Sequence, residues 1–169
     1  MVAIAALVVG CGNDPVAPAK TSFEGKSYKG TGYTILFPVD WAQQKGLMGS
    51  EIAAIGKPTD AAPDFSPNVN VVVVEGVKGT LDDSWAATIR PLKTLSGFKK
   101  IEERDIELPA GRAKVLIWEH TLMTRPLRAG TYLMTHGSTD YVITCTDAPE
   151  SFDASRATFE EIVASIRFK

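Results

Sequence analysis

Residues 131–169 read TYLMTHGSTDYVITCTDAPESFDASRATFEEIVASIRFK, and the change of period inside this stretch decides the fold. In residues 141–146, YVITCT, β-branched and aromatic side chains dominate, which suits a pleated and largely buried strand. Side chains alternate across a strand, so Tyr141, Ile143 and Cys145 share one face and Val142, Thr144 and Thr146 share the other. Residues 131–136 supply a partner strand and Ser138-Thr139-Asp140 a turn, so the segment predicts a β-hairpin. After Pro149 the spacing changes. Phe152, Phe159, Ile162, Val163 and Ile166 fall at i, i+7, i+10, i+11 and i+14, one face of a helix. Asp153 is the expected N-cap, its carboxylate accepting from the free N–H groups of the first turn.

Working towards the N-terminus, residues 112–123 predict a strand, and residues 124–130, with Pro126 and Gly130, a loop that closes it back onto the hairpin. Residues 98–108 place charges between Ile101, Ile106 and Leu108, the pattern of a strand with one wet face. Thr80-Leu81-Asp82-Asp83 opens a helix, with Thr80 as N-cap and Asp83 favoured by the positive helix end. Its stripe is Leu81, Trp85, Ile89 and Leu92, and Pro91 should kink or end it. Residues 68–76 form a valine run, expected to be a strand covered on both faces. Residues 57–67 carry Pro58, Pro63 and Pro67 and predict a loop. Residues 51–56 and 33–37 predict strands, the latter stopped by Pro38; Tyr28 sits on a short edge strand, and Gly30-Thr31-Gly32 turns. The expected fold class is α+β, an antiparallel β-sheet meander carrying two main helices, in one domain over residues 23–169.

Composition narrows the class. At 169 residues the chain can bury a sizeable core without disulfide staples. A net charge of −2 argues against a nucleic-acid partner, which would require a basic stripe. The two cysteines, Cys11 and Cys145, lie in an N-terminal apolar segment and in mid-strand, so a disulfide between them is not expected.

The first ten residues, MVAIAALVVG, hold an uncharged apolar run of signal-peptide length, too short for the ~20 residues of a bilayer span. Val8-Val9-Gly10-Cys11 follows the pattern of a bacterial lipobox, with a small residue before the thiol that takes the lipid. The expectation is that residues 1–10 are a signal-peptide remnant and that Cys11 is lipidated. Residues 11–22, with Pro15 and Pro18, then tether the domain. A short hydrophobic strand with an incidental cysteine is the alternative. No Lys or Arg precedes the apolar run, so the natural start is expected upstream of Met1.

Few residues compete for chemistry. Were the loop before the last hairpin centred near Arg128, His120 and His136 would lie opposite each other and could share a metal. No Cys or carboxylate pattern completes a tetrahedral set, so two surface histidines and no metal or other cofactor are expected. Cys145 alternates with Tyr141 and Ile143, which favours core packing over a nucleophilic role. Glu102-Glu103-Arg104-Asp105 reads as a solvated strand face. Arg125 and Arg128, with Trp41, form a possible binding surface for an anionic partner or lipid; Trp41 otherwise plugs one end of the core.

Three sets of residues resemble the PsbP-like domains, a group that includes photosystem II extrinsic proteins, a Ran-binding nuclear import factor and bacterial DcrB-like lipoproteins. Tyr33-Thr34-Ile35-Leu36-Phe37-Pro38 with Trp41 is similar to its Y-x-I-x-F-P-x-x-W opening. Residues 141–144 and 159–168 are similar to its closing strand and helix, and residues 68–73 to its first long central strand. The resemblance implies an α/β/α sandwich and a non-enzymatic binding or assembly module. That module would be lipid-anchored through Cys11 in the bacterial cell envelope, facing the periplasm or exterior, with an unidentified protein partner. A photosynthetic host would point to the photosynthetic membrane. A carrier of a small apolar ligand, held in a sheet–helix cleft near Trp41, Trp85 and Trp118, is the alternative reading.

Overall fold

The computed structural model describes residues 21–169. Strand β1 (Gly25–Lys29) and strand β2 (Tyr33–Pro38) form a hairpin, followed by β3 (Ala42–Lys45), a 3-10 turn (Leu47–Gly49), β4 (Ile52–Ile55) and β5 (Asn68–Glu75). Helix α1 (Leu81–Leu92) leads into four strands, β6 (Lys99–Leu108), β7 (Gly111–Leu122), β8 (Arg125–His136) and β9 (Thr139–Asp147). Helix α2 (Pro149–Ala164) and the two-residue β10 (Arg167–Phe168) complete the described chain.

Seven strands form the main sheet in the order β3-β4-β5-β9-β8-β7-β6, each neighbouring pair antiparallel. A smaller sheet, β1-β2-β10, lies beside α2, and its Tyr33, Ile35 and Phe37 share one core with that helix. Alternation along the strands then builds two cores on opposite faces. Val115, Ile117, Tyr132, Met134, Tyr141, Ile143 and Cys145 meet Phe152, Phe159, Ile162 and Val163 of α2. Leu116, Trp118, Ala129 and Leu133 meet Trp85 and Ile89 of α1. The α+β expectation and the helix-on-each-face layering both hold. Among the described residues no helix is long and apolar enough to cross a membrane.

Helix α1 begins as its sequence predicts. Thr80 and Asp83 form a reciprocal capping box, the Asp83 amide donating to Thr80 Oγ1 at 3.2 Å and the Thr80 amide donating to Asp83 Oδ2 at 2.8 Å. Helix α2 does not. Its N-cap is Ala148, not Asp153, because Pro149 takes the first helical position, where a missing N–H costs nothing. The helix also ends at Ala164, and Ile166 stays on the apolar stripe from the turn beyond it.

Other expectations are corrected by the pairing. Residues 125–130 are strand, not loop: β7 and β8 are joined by a two-residue turn, with Leu122 opposite Arg125 and Pro126 opposite Thr121. The valine run of β5 is covered on one face only, with Val69 and Val71 buried, Val72 half-buried and Val74 exposed. β3, whose AQQK carries no apolar alternation, is a strand that sequence patterning missed.

The main sheet has two ends. At one lie the Leu47–Gly49 turn, the end of β5 and the β8–β9 turn. At the other lie the 57–67 loop and the β7–β8 turn, with Arg125 on β8 donating to the Asp64 carbonyl and stacked on Phe65.

Candidate functional site

Helix α1 lies over β7 and β8 and leaves the same face of β4 and β5 open. The register places Ala53 opposite Asn70 and Ile55 opposite Asn68, so these four side chains share that open face. With Val72, and with Leu47, Met48 and Ser50 as a wall, they line a hollow of about 360 Å³. Met48 stands at its rim, 93% exposed, in the left-handed region with φ 50°. A non-glycine residue there carries backbone strain, and an unburied methionine offers a deformable apolar contact.

The hollow runs into a polar row across the sheet. Asn70 pairs with Thr144, and Thr144 pairs with Thr131, their hydroxyls 3.4 Å apart. Trp118 Nε1 donates to Thr131 Oγ1 at 3.1 Å beneath α1. The open face is therefore apolar at Met48, Ile55 and Val72 and offers amides at Asn68 and Asn70. Such a lining fits a binding surface, where a few fixed polar groups orient an apolar contact.

A second, smaller hollow of about 260 Å³ lies between Thr31, Ser50, Glu51, Val73 and Glu75. Glu51 Oε1 accepts from the Thr31 amide and hydroxyl. Beside it Tyr33 is fully buried, and burial first, then Glu51, Tyr28 and Tyr141, push its phenol well above the usual tyrosine range. Its hydroxyl proton stays on at any physiological pH.

The sequence-nominated residues are scattered. Trp41 meets Phe159 edge-on at 6.3 Å, on the α2 side of the sheet. Arg125 and Arg128 point to opposite faces of β8. Arg128 donates to Glu119 at 2.8 Å, lies 3.4 Å from Asp153 and stacks on Phe152, bracing α2 against the sheet. The three do not form one surface, and the two arginines are not one cluster. The cleft expected near Trp41, Trp85 and Trp118 does not form either, since Trp41 packs on one face while Trp85 and Trp118 fill the core of the other.

The two histidines are apart. The short β7–β8 turn sets His120 opposite Leu127 and His136 opposite Thr139, so no pair forms. His120 stacks on Trp118 at 4.8 Å, and burial lowers its pKa. His136 stacks on Phe168 at 4.7 Å. Among the described residues no group of three or more His, Cys, Asp or Glu gathers where it could hold a metal ion. Cys145 is buried, and burial, then Glu160, push its thiol well above the usual range.

The acidic run on β6 divides between the faces. Glu102 pairs with Arg104 and with Arg156 of α2, whereas Glu103 accepts from Trp85 Nε1 at 2.9 Å, and Asp105 pairs with Arg112 and Lys114. Cys11 lies outside the described residues.

No protein-family model and no curated protein matches the chain. Solved structures do. The cyanobacterial PsbP (CyanoP) of Synechocystis sp. PCC 6803 superposes with a TM-score of 0.63 at 14% identity, covering 95% of this chain and 98% of that one. LpqN of Mycobacterium tuberculosis, described as involved in cell envelope biogenesis, gives 0.61 at 13% identity over 90% of each chain. The Ran-binding protein Mog1p of Saccharomyces cerevisiae gives 0.60 at 15% identity, over 87% of this chain and 96% of that one. At these identities the likeness is one of fold.

Proposed function

We propose that the chain is a non-enzymatic binding or assembly module of the bacterial cell envelope, held to a membrane by lipid on Cys11, which receives a protein partner on the open face of β4 and β5. The observation that carries the reading is the half-covered sheet: α1 dries β7 and β8 but leaves Met48, Ile55 and Val72 beside two asparagine amides. An apolar hollow of this kind on a rigid sheet suits recognition. Support for the compartment comes from Val8-Val9-Gly10-Cys11 and from the cell-envelope role in the description of LpqN.

The test is site-specific photo-crosslinking in a bacterial host with the probe at Met48. The expected result is an adduct of one protein mass, lost when Val72→Glu spoils the hollow and not formed from a probe at Ala154 on α2. Adducts indistinguishable between the two probe positions would refute this face as the binding surface. The second reading, a carrier of a small apolar ligand, is favoured by the volume of the same hollow, which lies at the lower end of small-molecule sites. Adducts of lipid mass alone at Met48 would replace the first reading with the second.

A further inference from the structure

The opposite end of the sheet carries its own exposed apolar surface. The β7–β8 turn is a two-residue hairpin connection, where glycine or asparagine is favoured because the backbone runs left-handed. Here the position with φ 57° is Met123, 95% exposed, and Leu122 before it is 55% exposed. Leu95 is exposed in the turn after α1, and the neighbouring Ser96 carbonyl accepts from the Thr121 amide, so Leu95 and Leu122 belong to one edge. Lys93 and Lys99 flank these side chains, Lys99 lying 3.8 Å from Glu119, and Arg125 beside them is held by the Asp64 carbonyl. The other end also shows an exposed Met48, but with Glu51 and Glu75 close by.

The chain's point of entry lies within reach of this side. The Glu24 carbonyl accepts from the Val39 amide at 3.0 Å, and Val39 is exposed. The adjacent Asp40 lies 3.9 Å from Lys57, which opens the 57–67 loop. Ser22 is fastened to Glu161 on the flank of α2, with its amide 2.7 Å from the carboxylate. From Glu161 back to the start of α2 is about 20 Å at ~1.5 Å per residue. The ten steps of chain from Cys11 to Thr21 would span about 30 Å when extended, enough to set this end on a surface to which Cys11 is anchored.

We infer that the Leu95–Leu122–Met123 edge is a lipid-docking surface: the two hairpin side chains enter the acyl boundary while Lys93 and Lys99 meet anionic headgroups. Short apolar prongs ringed by basic residues give interfacial rather than spanning contact. The inference deepens the lipid-anchored reading and rests on it, and it leaves the open face of β4 and β5 clear of the membrane.

The test uses the full chain with Cys11→Ala, tethered by a hexahistidine tag ahead of Met1 to nickel-chelating vesicles containing phosphatidylglycerol. An environment-sensitive fluorophore is placed at Met123→Cys or, at the other end of the sheet, at Ser138→Cys; buried Cys145 stays unlabelled. The expected result is a blue shift from the position-123 probe and none from the position-138 probe, weakened by Lys93→Glu with Lys99→Glu. Without the tag, Leu122→Asp should reduce vesicle partitioning about tenfold or more. Equal responses at the two positions would overturn the inference. Because the tag replaces the acyl chain, this outcome is separate from whether Cys11 is acylated, which the N-terminal mass decides.

Discussion

The Glu51 carboxylate is the lock between the small hairpin and the main sheet: its Oε1 accepts from the Thr31 amide at 2.8 Å and from the Thr31 hydroxyl at 3.2 Å. Thr31 belongs to the β1–β2 turn and Glu51 precedes β4, so one side chain ties two sheets together. Glu51→Ala should destabilise the fold by about 1 kcal/mol, since the contact is partly solvated. Thermal unfolding measures this, and Glu51→Gln, which keeps one acceptor oxygen, should recover part of the loss. An unchanged midpoint in Glu51→Ala would show that the Glu51–Thr31 contact adds nothing to the docking of the two sheets.

Gly32 sits beside this lock with φ 74°, and a Cβ there would lie 2.6 Å from the Tyr141 hydroxyl. Both the backbone and the ring oppose any side chain. Gly32→Ala should cost about 1–3 kcal/mol by denaturant titration. Gly46→Ala, also at positive φ but with open space around it, should cost less. Equal losses would remove the steric contribution of Tyr141.

Cys145 should not react in the native state. Burial holds its thiol protonated at neutral pH, and thiolate is the reactive form. In a Cys11→Ala chain a maleimide should label only after denaturant is added. Rapid native labelling would return Cys145 to the list of reactive groups.

His120 gives a pH dependence of definite sign. Burial lowers its folded pKa below the ordinary 6.5, so the unfolded chain takes up the proton first as pH falls. The stability contributed by neutral His120 is present above 6.5 and is lost as pH drops through the folded value. Unfolding at about pH 7.5 and about pH 5.5 should therefore show a steeper fall for the parent than for His120→Asn. Parallel curves would mean that His120 titrates equally in both states.

The proposed anchor predicts a chemical difference. Given a complete basic n-region in a bacterial host, the chain should be cleaved before Cys11, acylated and sedimented with membranes. Cys11→Ala should remain unprocessed at that site and carry no acyl chain. Identical N-terminal masses without lipid in both would leave the domain without the proposed attachment. One acyl chain alone gives only reversible binding, so two or three are expected.

What was legible in the sequence followed from period. The α2 stripe from Phe152 to Ile166 and the alternation of Tyr141, Ile143 and Cys145 each hold because burial on one face leaves no freedom of register. Features set by partners were not legible. Pro126 and Gly130 looked like loop, yet Pro126 pairs with Thr121 beyond the end of the β8–β9 ladder at Arg128, and Gly130 lies deep in β8 against Ile117 and Tyr132. Asp153 looked like a cap because it is acidic near a helix start. The chain instead lets buried Asp147 accept from the Ala148 amide at 2.7 Å and from Ser155 at 2.6 Å. The open hollow depends on which half of a sheet face α1 covers, a three-dimensional fact with no signature in residues 42–75. Met48 and Met123 had no sequence signal either, since nothing in their neighbours announces a left-handed backbone.

The β5–β9 ladder has a consequence for how the chain assembles. Val72 lies opposite Val142, about 70 residues later, whereas β6 to β9 pair with immediate neighbours in sequence. Local hairpins close quickly, and distant strands meet only after a long loop has been ordered. Contact order therefore favours the β6–β9 meander as the part to close first, with β5, β4 and β3 expected to join its edge afterwards. Until then that edge of β9, rich in valine, isoleucine and threonine, is a free pairing surface for any other nascent copy. The order in which strands join, and not only the finished fold, thus sets where this chain is open to pairing with another copy.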